Sequence, residues 1–109
     1  QQPFYWLQSA DVQEVAFILI NPFLFRPDYN IDVPDEDLEE IGITDPRQAL
    51  VFTIVTIPEN QSKMTANLQG PIIINKDSRQ GRQSISTNTK WNVKHLILEE
   101  LKSVGSTAC

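Results

Sequence analysis

The stretch from Val15 to Tyr29, V-A-F-I-L-I-N-P-F-L-F-R-P-D-Y, constrains this chain more than any other. Val15 to Ile20 is an unbroken apolar run, mostly β-branched or aromatic, and a run that short with no polar face reads as a strand buried on both sides. Asn21-Pro22 ends it, because proline has no N–H for a ladder and disfavours helix in the residue before it. Phe23-Leu24-Phe25 then lies between Pro22 and Pro27, a setting that disfavours a second central strand. Two readings follow for this segment. It is a bend whose phenylalanines plug one end of a sheet core, or it is a non-polar ledge, shared with Tyr29, that receives another chain.

Around this stretch the remaining apolar segments are short. Phe4 to Leu7 is strand-like, and Ala10-Asp11-Val12 turns the chain into the buried strand. Ile31 and Val33 flank Asp32 as a short edge strand. Asp35 to Gly42 reads as a brief helix: acids crowd its first turns, where the helix dipole favours them, Leu38 and Ile41 form one apolar stripe, and Gly42 supplies the stop. Asp45-Pro46 starts a further helical turn. Leu50 to Ile57 is the second strongly apolar strand, and Met64, Ala66 and Leu68 alternate with polar residues as a third. Gly70-Pro71 breaks that strand before Ile72-Ile73-Ile74. Lys76 to Gly81 is a hairpin-like loop into a strand from Arg82 to Ser86, and Ile97, Leu98, Leu101 and Val104 space as an amphipathic helix before a frayed tail from Gly105 to Cys109. Many short strands with only brief helices predict a mainly β protein, a small antiparallel β-barrel or sandwich with one or two short helices. The longest apolar runs predict a core of Phe17, Leu19, Phe52, Ile54, Leu68 and Ile73.

At 109 residues a single domain is expected, spanning residues 1–109. The one cysteine, Cys109, has no partner for an internal disulfide and suits a reducing compartment. With no membrane-length apolar run and no signal pattern, the expected location is cytoplasmic. Charge is unevenly spread: residues 1–57 carry a net −8 and residues 58–109 a net +3, which make up the overall −5. An acidic half argues against nucleic acid as a direct ligand, since phosphate binding needs clustered Lys and Arg, and it is compatible with a basic protein partner.

Catalytic patterns are absent from the sequence. His95 is the one histidine, and no serine or cysteine is marked as its nucleophile. The glycines at 42, 70, 81 and 105 are isolated, so there is no phosphate loop, and no His/Cys cluster matches a zinc site. Asp28, Asn30, Asp32, Glu36 and Glu39 fall at ligand positions of a calcium-binding EF-hand loop. Val33 occupies the position that needs glycine there, and Pro34 holds Val33 extended, so calcium is not expected. The expectation is a non-enzymatic protein without metal or cofactor.

Ordered blocks carry a resemblance. Phe4-Tyr5-Trp6-Leu7-Gln8-Ser9, Ala16-Phe17, Asn21-Pro22-Phe23, Pro27-Asp28-Tyr29, Asp37-Leu38 through Gly42, Val55-Thr56-Ile57-Pro58 and Ala66 through Asn75 together resemble the FliW family of bacterial flagellar assembly factors. The family pattern begins upstream of Gln1, so strands found in the family are expected to be missing before this chain's first residue. The resemblance implies a compact β-barrel that binds flagellin in the cytoplasm and binds the RNA-binding translational repressor CsrA. Relief of that repression, with flagellin competing for the factor, links flagellin synthesis to flagellum assembly. On this reading the apolar ledge Phe23, Leu24, Phe25 and Tyr29 is the flagellin candidate. The acidic helix residues Asp35, Glu36, Asp37, Glu39 and Glu40 are the candidate for a basic region of CsrA. Alternatives from other classes are a generic β module for a different cytoplasmic chain, and a small hydrolase or ligand-binding barrel whose catalytic residues lie upstream.

Overall fold

The two amino-terminal apolar segments pair as a hairpin. Phe4–Gln8 (β1) runs antiparallel to Ala16–Ile20 (β2), with Tyr5 opposite Leu19 and Leu7 opposite Phe17. Ser9 shapes the turn between them, its hydroxyl accepting from the backbone N–H of Asp11 and of Val12. The computed structural model describes residues 3–12 and 14–107, with side chains through Ser103. Cys109 and the side chain of Val104 lie outside the described residues.

Ala49–Thr56 (β3) is the longest strand and the organiser of the sheet. Its carboxy-terminal half pairs with β2 and with Thr65–Ala66 (β4), and its amino-terminal half with Ile72–Asn75 (β5). Gly81–Gln83 (β6) extends the sheet from β5, and His95–Leu96 (β7) extends it from β4. All pairings are antiparallel, in the order β1-β2-β3-β4-β7 with β5 and β6 leading off β3. The described residues thus form seven strands of one open sheet, with two α-helices, Asp35–Glu40 (α1) and Ile97–Thr107 (α2). The mainly antiparallel β class is as predicted; the sheet does not close on itself among the described residues.

Strand alternation gives the sheet two unlike faces. One face, with Ile20, Val51 and Val55, packs with Phe25, Tyr29, Ala66, Leu68, Trp91 and Ile97 into the main core. Thr53 sits in the same layer, its hydroxyl donating to the Ile20 carbonyl, so its burial leaves no polar group unpaired. A smaller cluster of Ile41, Ile43 and Ile73 lies beneath α1, with Ile31, Val33, Leu38 and Ala49 at its edge. The second face carries Tyr5, Leu7, Phe17, Leu19, Phe52, Ile54, Ile72 and Ile74.

The predicted core is therefore half right. Leu19, Leu68 and Ile73 are buried, but Phe17 is 43% exposed and Phe52 and Ile54 are half-buried. An apolar run with no polar face carries no record of which side is covered; alternation puts these three on the second face with Leu19 and Ile72, and of these five only Leu19 and Ile72 are buried. Ile31 and Val33 form no ladder; the chain is extended there without a strand. The Met64–Leu68 strand shrinks to β4, because the backbone N–H groups of Leu68 and Gln69 turn to the Asn92 carbonyl. The strand after the hairpin ends at Gln83 rather than Ser86, and α2 continues through Thr107 where a frayed tail was expected.

Candidate protein-binding surface

The acidic segment folds as read. Asp35, Glu36 and Asp37 occupy the first turn of α1, where exposed backbone N–H groups favour negative charge. At its end Gly42 adopts φ +74°, Gly42 N–H donates to the Glu39 carbonyl at 2.9 Å, and Ile43 N–H donates to the Leu38 carbonyl at 2.9 Å. These two bonds are a Schellman closure, and Leu38 and Ile43 meet across it in the smaller apolar cluster. The helix is thereby fixed to the sheet by its apolar stripe.

Its five candidate carboxylates are not equivalent. Arg82 on β6 reaches up to Glu40 at 2.6 Å and Asp37 at 3.5 Å, so these two serve to hold α1 on the sheet. Asp35, Glu36 and Glu39 make no ion pair among the described residues and stand in solvent. The candidate set for a basic partner therefore narrows to these three.

The aromatic segment also divides. Asn21 caps a 3₁₀ turn, Pro22–Leu24, by accepting from Phe23 N–H at 2.9 Å, and within the turn Pro22 is buried while Phe23 and Leu24 are exposed. Phe25 is fully buried, and Tyr29 is buried with its hydroxyl donating to the Leu68 carbonyl at 2.7 Å. Burial, followed by the charge of Asp32, pushes the Tyr29 phenol well above the usual tyrosine range. These two residues are core and cannot receive a partner without unfolding it, which corrects half of the predicted ledge. Phe23 and Leu24 remain as the ledge, 40% and 49% exposed.

A charged frame that sequence reading missed locks this turn in place. Trp91 is buried, edge-on to Tyr29 at 4.8 Å, with the Arg26 guanidinium 4.8 Å and the Lys90 ammonium 4.9 Å from its ring centre. Arg26 also forks onto Asp28 and donates to Glu100 of α2 at 2.9 Å, while Lys90 donates to Asp28 at 2.9 Å. The hydrogen bond from Arg26, then that from Lys90, holds the Asp28 carboxyl well below the usual carboxylate range, and the same Asp28 contact raises Arg26. His95 is buried beside this frame, with Nε2 accepting from Asn92 N–H at 2.9 Å and Nδ1 2.8 Å from Glu100. Nδ1 thus ties β7 to α2 through Glu100, while Nε2 holds the preceding loop at Asn92. Asp28 and Asp32, two of the EF-hand-like positions, point instead to Arg26 and Lys90 and to Asn88.

These elements define a class: an open antiparallel β domain with a short acidic helix clamped to its rim and an aromatic 3₁₀ turn at one end. The model of the FliW protein family matches residues 1–97, and the chain belongs to this family. It is 52% identical over 105 residues to a flagellar assembly factor FliW of Treponema denticola, covering 96% of this chain and 71% of that protein. It is 46% identical over 106 residues to the corresponding factor of Caldanaerobacter subterraneus, covering 97% and 71%. A crystal structure of the flagellar assembly factor FliW matches with a TM-score of 0.82 at 41% identity, covering 87% of this chain and 67% of that one. Among the described residues no helix is long and apolar enough to cross a membrane.

Proposed function

We propose that this flagellar assembly factor acts in the cytoplasm by binding flagellin and by antagonising the translational repressor CsrA, so that flagellin synthesis follows flagellum assembly. Family membership is the observation that carries the reading. Two surfaces support it. Phe23 and Leu24 offer exposed apolar area to the apolar face of an unassembled flagellin segment. Asp35, Glu36 and Glu39 offer uncompensated negative charge to a repressor that must present basic surface to RNA phosphates. Neither surface needs a metal, a cofactor or a catalytic group.

Size-exclusion chromatography with purified partners tests the proposal. The protein is expected to form a stoichiometric complex with CsrA, and added flagellin is expected to displace the repressor. Separate elution of the protein from both partners at micromolar concentration overturns the reading.

A further inference from the structure

Beside α1 the surface falls into a groove of about 480 Å³. Ile31, Leu38, Ile43 and Ala49 line it with apolar surface, and Asp35 and Glu39 stand among its walls. That volume is within the range of sites that bury a bound organic group. The charge around it is not balanced. Asp45 is neutralised by Arg47 at 2.7 Å, whereas Asp35 and Glu39 have no cation among the described residues. The groove adjoins a second depression of about 510 Å³, which shares Thr44 and Asp45 and extends to Gln48 and Lys76. That depression carries the cations Arg47 and Lys76, so the uncompensated negative charge belongs to the groove beside α1.

We infer that this groove binds a segment of a partner protein in which an apolar side chain is flanked by lysine or arginine. The apolar side chain rests on Ile31, Leu38, Ile43 and Ala49, and the cation lies against Asp35 and Glu39. Apolar contact supplies the anchor, while the two carboxylates, next to low-dielectric walls, select against an acidic neighbour. The inference deepens the reading of an acidic face meeting a basic partner, and rests on it.

The test is a titration of the ¹⁵N-labelled protein with the peptide Gly-Ser-Lys-Leu-Lys-Ser-Gly, followed by amide chemical shifts. Saturable shifts are expected at Ile31, Leu38, Ile43 and Ala49. Replacing the peptide's leucine by serine, or its lysines by glutamate, is expected to weaken binding about tenfold or more. Ala49→Leu, which fills the groove, is expected to weaken it by a similar factor with the rest of the spectrum native. Should Ala49→Leu disturb β3, Thr44→Arg decides, since it puts a repelling cation at an exposed position of the groove wall. No saturable shift at millimolar peptide, shifts mapping elsewhere, or undiminished binding by the folded variants overturns the inference. A repressor complex that forms with wild type and is unchanged in both variants overturns the groove and leaves the proposed function standing. Failure of the wild type to form any such complex overturns the proposed function itself.

Discussion

Leu68 and Phe52 are both large apolar residues, but only Leu68 is enclosed on every side. Phe52 lies on the second sheet face, half-covered by an edge-on contact with Tyr5 at 5.1 Å. Truncation of an enclosed side chain loses its transfer energy and leaves a cavity, whereas a half-covered one loses only part of the first and opens no void. Leu68→Ala should therefore cost about 2–5 kcal/mol, and Phe52→Ala about half as much, as measured by urea unfolding. Equal losses would show that the second face is as closely packed as the core. Asp28 gives a second prediction at this scale. Its folded-state pKa is depressed by Arg26 and Lys90, so its contribution is present above the unfolded carboxylate value and is lost as pH falls through the lower folded one. Because the Asp28 side chain is 47% exposed, the contribution is below about 1 kcal/mol. The melting temperature of wild type should fall more steeply than that of Asp28→Asn as pH drops below about 4. Parallel curves would remove Asp28 from the acid response.

Among the elements, α1 was the most legible, because its determinants are local. Consecutive acids at the start, one apolar stripe and a glycine at the stop specify a short helix without reference to the rest of the chain. Gly42 then carries a definite prediction. An added Cβ would stand 3.4 Å from Asn75 Nδ2, an ordinary contact, so the cost of Gly42→Ala comes from its positive φ alone. It should lower stability by about 1–2 kcal/mol with the fold retained, read by thermal melting and circular dichroism. A neutral substitution would mean that the Schellman closure relaxes freely. The sheet was less legible than the helix. Short apolar runs announce β2, β3 and β5, but nothing in Val15–Ile20 or Leu50–Ile57 distinguishes its two sides, so Phe17 and Ile54 read as core. The exposure of the candidate binding residues was legible in the same measure. Asp35, Glu36 and Glu39 are displayed as read, but the capture of Asp37 and Glu40 depends on Arg82, far away in sequence. Phe25 and Tyr29 look like a ledge until Leu68 and Trp91, equally remote, close over them. No local pattern marks such pairings.

Across the whole molecule, the distribution of charge matters more than any one pair. The negative charge is concentrated in the first half of the chain, and α1 carries three carboxylates, Asp35, Glu36 and Glu39, that no cation pairs among the described residues. Exposed charges act mainly on encounter: they raise the association rate of a complementary partner and are screened beyond about 8 Å at physiological salt. Glu36 and Glu39 are free to act this way, whereas Glu40 is committed to Arg82. Two charge reversals on one helix should consequently behave differently. Glu36→Lys combined with Glu39→Lys should leave the melting temperature nearly unchanged. It should slow association with CsrA by about tenfold at low ionic strength and flatten its dependence on salt. Glu40→Lys places a cation against Arg82, so it should loosen α1 and lower the melting temperature, with a smaller effect on the encounter itself. Stopped-flow association across a series of sodium chloride concentrations, paired with melts of each variant, separates the two behaviours. If the double reversal associates at the wild-type rate in low salt, α1 is a solvated rim with no part in steering. If both reversals slow association equally while melting alike, the distinction between free and Arg82-bound carboxylates is wrong.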